Sequence, residues 1–231
     1  MRALVVCAAL LAGAPVAAAD PMHGGQTFHY AEAELDYARA GGTDIFNWEG
    51  QGWLGTDFDK LWVKTEGERT GGQVEQAELQ LLWSHNLGGF FDVQGGVRVD
   101  AEPDRRGYLV AGVQGLAPYL LDSQAHVFVG ERGDVHLRVR QRASLLISNR
   151  LIATPMVETD FYLTDAPERR VGAGFSTIEA GVQLRYEVRR KFAPYVSLMF
   201  DRKLGETARL ARLDGEDVGG WSLRSGLRVW F

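Results

Sequence analysis

The chain has 231 residues, a formal net charge of −5 and a single cysteine. The acidic balance argues against nucleic-acid binding, and one cysteine excludes a disulfide framework within the chain. Beyond the N-terminus no apolar run approaches the roughly 20 residues of a membrane helix. The chain is therefore either secreted and soluble or crosses a membrane as strands with its polar residues turned inward.

Residues 1–19 read as a cleaved secretory signal peptide: Arg2, an apolar stretch from Ala3 to Val16, and Ala17-Ala18-Ala19 before Asp20. Cys7 leaves with it. Residues 20–27 form a short periplasmic leader, and residues 28–231 read as strands almost throughout, with no sustained helical period. Phe28 to Arg39 sets Ala31, Ala33 and Leu35 against Glu32, Glu34 and Asp36. Gly41-Gly42 turns into Ile45 to Gly55, and Asp57-Phe58-Asp59 into Lys60 to Arg69, where Lys64, Glu66 and Glu68 share one parity. After Thr70-Gly71-Gly72, Gln73 to Ser84 places Leu79, Leu81 and Trp83 outward and Gln76, Glu78 and Gln80 inward. Phe91 to Val99, Tyr108 to Ala117 and Gln124 to Val129 follow, divided by Pro103-Asp104 and a turn containing Pro118. Val135 to Ala143 alternates most clearly, with His136, Arg138, Arg140 and Arg142 inward.

Past Ser148-Asn149-Arg150, Met156, Glu158, Asp160 and Tyr162 face in. Asp165 to Gly174 is a longer loop. Ile178 to Val188 and Pro194 to Lys203 are strands, and Gly205 to Gly220 is the longest connection, polar and glycine-rich. The last strand, Trp221 to Phe231, points Trp221, Leu223, Leu227 and Val229 one way and Arg224 and Arg228 the other. Its length suits a tilted membrane strand of roughly 9–11 residues. Its closing Trp230-Phe231 pair resembles the assembly signal of bacterial outer-membrane barrels.

The expected fold is all-β: a transmembrane antiparallel up-and-down β-barrel of about 12 strands, with both termini in the periplasm and the long connections outside. A soluble sandwich would have to bury one face along with its charges, at several kcal/mol for each unpaired one. The inward acidic set Glu32, Glu34, Asp36, Glu66, Glu68 and Glu78 shares the interior with seven arginines. These groups would either fill a narrow lumen with ion pairs or leave a cation path along an acidic wall.

Several phrases resemble the outer-membrane copper resistance protein B family (CopB/PcoB). They are Leu61-Trp-Val-Lys-Thr-Glu-Gly-Glu68, Asp92-Val-Gln-Gly-Gly-Val-Arg98, Gly112-Val-Gln-Gly-Leu-Ala-Pro-Tyr119, Glu179-Ala-Gly-Val-Gln-Leu-Arg-Tyr-Glu187 and Phe192-Ala-Pro-Tyr195. The resemblance runs from about Phe28 to Phe231. It implies a barrel in the bacterial outer membrane, in contact with its lipid, that binds copper ions or passes them across; export, sequestration and the anchoring of periplasmic copper-resistance proteins stay open as alternatives. Members commonly carry a Met/His-rich segment before the barrel. Here Asp20 to Gly25 retains only Met22 and His23 of those ligand types, which shifts any copper function toward the barrel interior.

Copper(I) prefers soft thioether or thiolate donors, and imidazole suits either oxidation state. The candidate ligands are therefore Met22, His23 and His29 at the barrel entrance, His126 and His136 on neighbouring inward parities, and the inward Met156 and Met199. The alternatives are a polar leader, lumen histidines paired to carboxylates and gap-filling methionines. The competing function is a metal-indifferent structural or small-solute barrel. Catalysis is not expected: Ser84 and His85 are adjacent on one strand and face opposite ways, and no HExxH, GxSxG or P-loop occurs.

Overall fold

The computed structural model describes residues 26–231; the expected signal peptide, Met22 and His23 lie outside them. The strands are β1 (Phe28–Ala40), β2 (Thr43–Gly55), β3 (Asp59–Thr70), β4 (Gln73–Asn86), β5 (Phe91–Glu102), β6 (Arg106–Ala117), β7 (Leu121–Gly130), β8 (Val135–Ala143), β9 (Leu145–Leu146), β10 (Leu151–Tyr162), β11 (Gly174–Tyr186), β12 (Phe192–Lys203) and β13 (Gly219–Trp230). Each pairs antiparallel with the next, except that β8 and β9 both pair with β10, and β1 pairs with β13, with Ala33 opposite Val229. The Phe231 amide donates to the Ala31 carbonyl at 2.8 Å and completes the closure. The two-residue β9 continues β8 past Ser144, so the barrel has 12 staves.

Pro155 explains why β8 and β9 are separate. β8 pairs with β10 as far as Arg142 opposite Met156, and β9 resumes with Leu145 opposite Ala153. Between those pairs stands Pro155, which has no N–H for the ladder. The hairpin turns at Gly41-Gly42 and Gly71-Gly72 have positive φ at both central residues, the backbone that a two-residue turn between right-twisted strands requires.

The burial pattern is inverted relative to a soluble domain. Leu79, Leu81 and Trp83 are 51, 45 and 52% exposed on the outer face, while Glu78 and Asp100 are 3 and 1% exposed on the inner face. A wall apolar outside and polar inside is the pattern of a barrel in hydrocarbon. An even number of staves places residues 28 and 231 at one end. The two longest connections, 163–173 and 204–218, lie at the other end, which the short-periplasmic-turn rule of bacterial barrels makes the outer one.

One expectation is corrected here. The first part of the 205–220 connection is an α-helix, α1 (Gly205–Asp214), and not a loop. Its interior, Glu206 to Leu213, is made largely of good helix formers. Glu206 pairs with Arg209 three residues on, and the Gly215 amide caps the Ala211 and Arg212 carbonyls. Thr207, Ala208 and Ala211 form its buried side. Ten residues are too few for their period to stand out between two strands.

Candidate functional site

Strand register arranges the inward charges. Glu34, Glu49, Glu66, Glu78 and Asp100 oppose one another in succession across β1 to β5. Arg228 opposes Glu34 at one end of this row, and Arg106 opposes Asp100 at the other. Carboxylates directly opposite on neighbouring strands repel, so the row requires cations from elsewhere in the lumen.

Those cations come mainly from β8. Arg138, Arg140 and Arg142 lie on one strand face at successive inward positions and reach across the interior. Arg138 donates to Glu66 at 2.7 Å. Arg140 donates to Glu66 at 2.8 Å and to Glu49 at 3.1 Å, and also to Glu158 on the neighbouring strand. Arg142 reaches Glu49 at 2.7 Å. Arg98 holds Glu78 and Asp100, each at 2.6 Å, and Arg228 holds Glu32 and Glu34. Hydrogen bonds to ionised groups are the stronger kind. This charged belt ties β8 to β2 and β3 through the lumen.

The belt divides the interior. On one side Trp62, Leu82, Tyr108, Val110 and Phe128 pack into an apolar cluster, with Trp53 against it. The outer loop 163–173 covers that side. Arg169 donates to Asp100 at 2.9 Å and to the Tyr108 hydroxyl at 2.7 Å, while Glu168 accepts from Arg106 at 2.9 Å and from Arg132. Asp104 joins this outer cluster; its hydrogen bond from Arg106 and the nearby Arg132 hold its carboxyl below the ordinary carboxylate range, so it stays charged in mild acid. α1 backs the loop, with the Gly172 amide donating to Thr207 Oγ1 at 3.1 Å and Arg170 paired to Asp214.

On the other side a cavity of about 350 Å³ opens among β1–β3 and β10–β13. Its wall includes Glu34, Glu49, Glu66, Glu68, Asp36, Asp160, Glu179 and Asp201, together with Met156 and Met199. Asp36 is hydrogen-bonded by the neutral Asn47 and Tyr195, and Glu68 by Thr70. Both lie, with Asp201, in the outer third of their strands.

The expected residues separate on this map. The acidic set Glu32, Glu34, Asp36, Glu66, Glu68 and Glu78 does face inward, and the ion-paired lumen accounts for most of it. His126 and His136 do not converge. Phe128 stands opposite His136 in the register and stacks on it at 4.7 Å, with Tyr162 at 4.6 Å on the other face. His126 instead bonds Gln94 through Nε2 at 2.7 Å, so neither ring is paired to a carboxylate. His29 shares the outward parity of Ala31 and Leu35 and is exposed at the periplasmic rim, not at a lumen entrance. Met156 and Met199 both face the cavity. Among the described residues no three His, Cys, Asp or Glu side chains are placed to hold a metal ion. The site residues missing from the acidic set, Glu49, Asp100, Glu158, Asp160, Glu179 and Asp201, all carry inward parity, which is the signal that would have found them.

A closed antiparallel wall, apolar outside and charged within, defines an outer-membrane β-barrel. The solved NanC porin shares this fold: it is 11% identical, with a TM-score of 0.59 over 86% of this chain and 98% of the porin. The family model for copper resistance protein B precursor (CopB) matches residues 27–231. Copper resistance protein B of Escherichia coli is 39% identical over 199 residues, covering 86% of this chain and 67% of that protein. The copper resistance protein B homolog of Pseudomonas syringae pv. tomato (strain ATCC BAA-871 / DC3000) is 40% identical over 204 residues, covering 88% of this chain and 69% of that protein. The chain belongs to the copper resistance protein B family, as its sequence phrases indicated, and its role lies in copper resistance at the outer membrane. The fold is that of outer-membrane porins.

Proposed function

We propose that the barrel takes copper ions as cargo into the open half of its lumen, binding them there or passing them across the outer membrane. The observation that supports this most is the juxtaposition of Asp36, Glu68 and Asp201, none bonded to a cation among the described residues, with a cavity that also holds both inward methionines. Acidic walls beside low-dielectric surfaces concentrate cations and raise their entry rate by about 10–10³-fold at low salt. The belt of Arg138, Arg140 and Arg142 faces the same cavity and opposes free passage of a second cation, which favours slow, saturable handling over an open pore.

Copper influx into liposomes carrying the purified barrel tests this. Influx is expected to exceed that of protein-free liposomes and to saturate. The triple variant Asp36→Asn, Glu68→Gln, Asp201→Asn is expected to lower it about tenfold at low ionic strength, with the difference shrinking as salt rises. Influx no greater than the lipid background would remove passage, and a barrel that also bound no copper would overturn the reading. A steady conductance indifferent to copper would favour the small-solute alternative; the ion-paired filling of the lumen favours a purely structural barrel over that one.

A further inference from the structure

Gly181 on β11 opposes Met156 on β10 and Met199 on β12. The three residues form one inward row across three strands. A side chain at position 181 would begin 2.3 Å from the Met199 Sδ and 2.9 Å from its Cε, far inside van der Waals contact. The Met199 thioether therefore lies over the glycine, on the Met156 side of its own strand. Met199 is 3% exposed, Met156 is half-buried, and both line the cavity of about 350 Å³.

Neighbouring strands lie about 4.8 Å apart, so the two methionine backbones are separated by roughly 10 Å. Two unbranched side chains leaning inward over a residue without a Cβ span that distance between them. Thioethers are neutral and soft. They attract copper(I) and gain nothing from the arginine belt, unlike the carboxylates around them, so a soft monovalent cation can be held here without displacing an ion pair. The nearest groups in the row are Arg142, opposite Met156, and Ser222, opposite Met199, and neither competes as a soft donor.

We propose that Met156 and Met199 form a two-thioether site for copper(I), with silver(I) as its redox-inert mimic, and that Gly181 is kept free of a side chain to seat it. This deepens the proposed function, since it rests on copper entering the lumen.

The test uses detergent-solubilised mature protein carrying Met22→Leu and His23→Ala, so that the leader contributes no donor. Silver(I) and copper(I) binding are measured by competition with a chromophoric chelator, and X-ray absorption reports the ligand atoms. The parent is expected to bind about one equivalent with sulfur neighbours. The volume-conserving pair Met156→Leu, Met199→Leu is expected to lose that binding at least a hundredfold while remaining heat-modifiable on gels. Gly181→Ala is expected to weaken it about tenfold. Unchanged affinity and an unchanged sulfur shell in the double leucine variant would overturn the site. The two ideas fail separately: a parent that binds no silver(I) while influx is intact removes the site and leaves the passage reading, while a parent that binds it with influx at background leaves the site and removes passage.

Discussion

Replacing Arg140 with alanine is expected to destabilise the barrel by roughly 3–5 kcal/mol, toward the lower figure because the cavity wall is partly wet. Arg140 contacts Glu49, Glu66 and Glu158 together, and Glu49 and Glu66 already oppose each other in the acidic row. Its loss leaves three partly buried carboxylates within one neighbourhood, held only by Arg138 and Arg142. The urea midpoint in detergent micelles should fall, and planar-bilayer conductance should rise because the bridge between β8 and β2–β3 is cut. Adding Glu49→Gln and Glu66→Gln in the same chain is expected to restore much of the midpoint, since two of the stranded charges are then gone. An alanine variant with the parent's midpoint and conductance would show that the belt contributes neither stability nor closure.

The second large effect concerns the outer wall. Leu81 lies near the middle of β4 and points outward. Arginine there would sit in hydrocarbon, at a cost of about 2–4 kcal/mol near the bilayer midplane. The same charge at Gln76, on the same strand with inward parity and on the cavity wall, meets carboxylates and is expected to cost less than about 1 kcal/mol. Folding yield and urea midpoint in lipid vesicles compare Leu81→Arg with Gln76→Arg. Equal behaviour of the two would mean that lipid does not cover the face carrying Leu79, Leu81 and Trp83.

Face was legible in the sequence, and register was not. A period of two assigns Glu66 inward and Val63 outward without any knowledge of neighbours, and turn signals placed nearly every hairpin. What stands opposite what depends on pairing. A shift of two residues preserves every face and changes every partner. His126 and His136 were both rightly placed inside, but only the register shows Phe128 standing against His136. The acidic row is likewise invisible along the chain, because its members come from five strands and no two are adjacent in sequence. The contacts of Arg138, Arg140 and Arg142 with Glu49 and Glu66 bridge 72 to 93 residues, beyond any local pattern. Asp165 to Gly174 read only as a longer loop; Glu168 and Arg169 reveal their role only when the loop folds back over Asp100 and Arg106.

The missing donor at Pro155 has a mechanical meaning. A cylinder laced all round except at one stitch yields first at that stitch, and here the slack falls between β8 and β10. The amides of Ala143 and Leu145 should accordingly exchange with solvent faster than other mid-wall amides. Arg142 and Met156 are the first pair on the firm side of it. Any bowing of this stave shifts a guanidinium of the belt and a thioether of the cavity in one movement, so a single imino acid makes the wall most pliant beside the groups that would greet a metal ion.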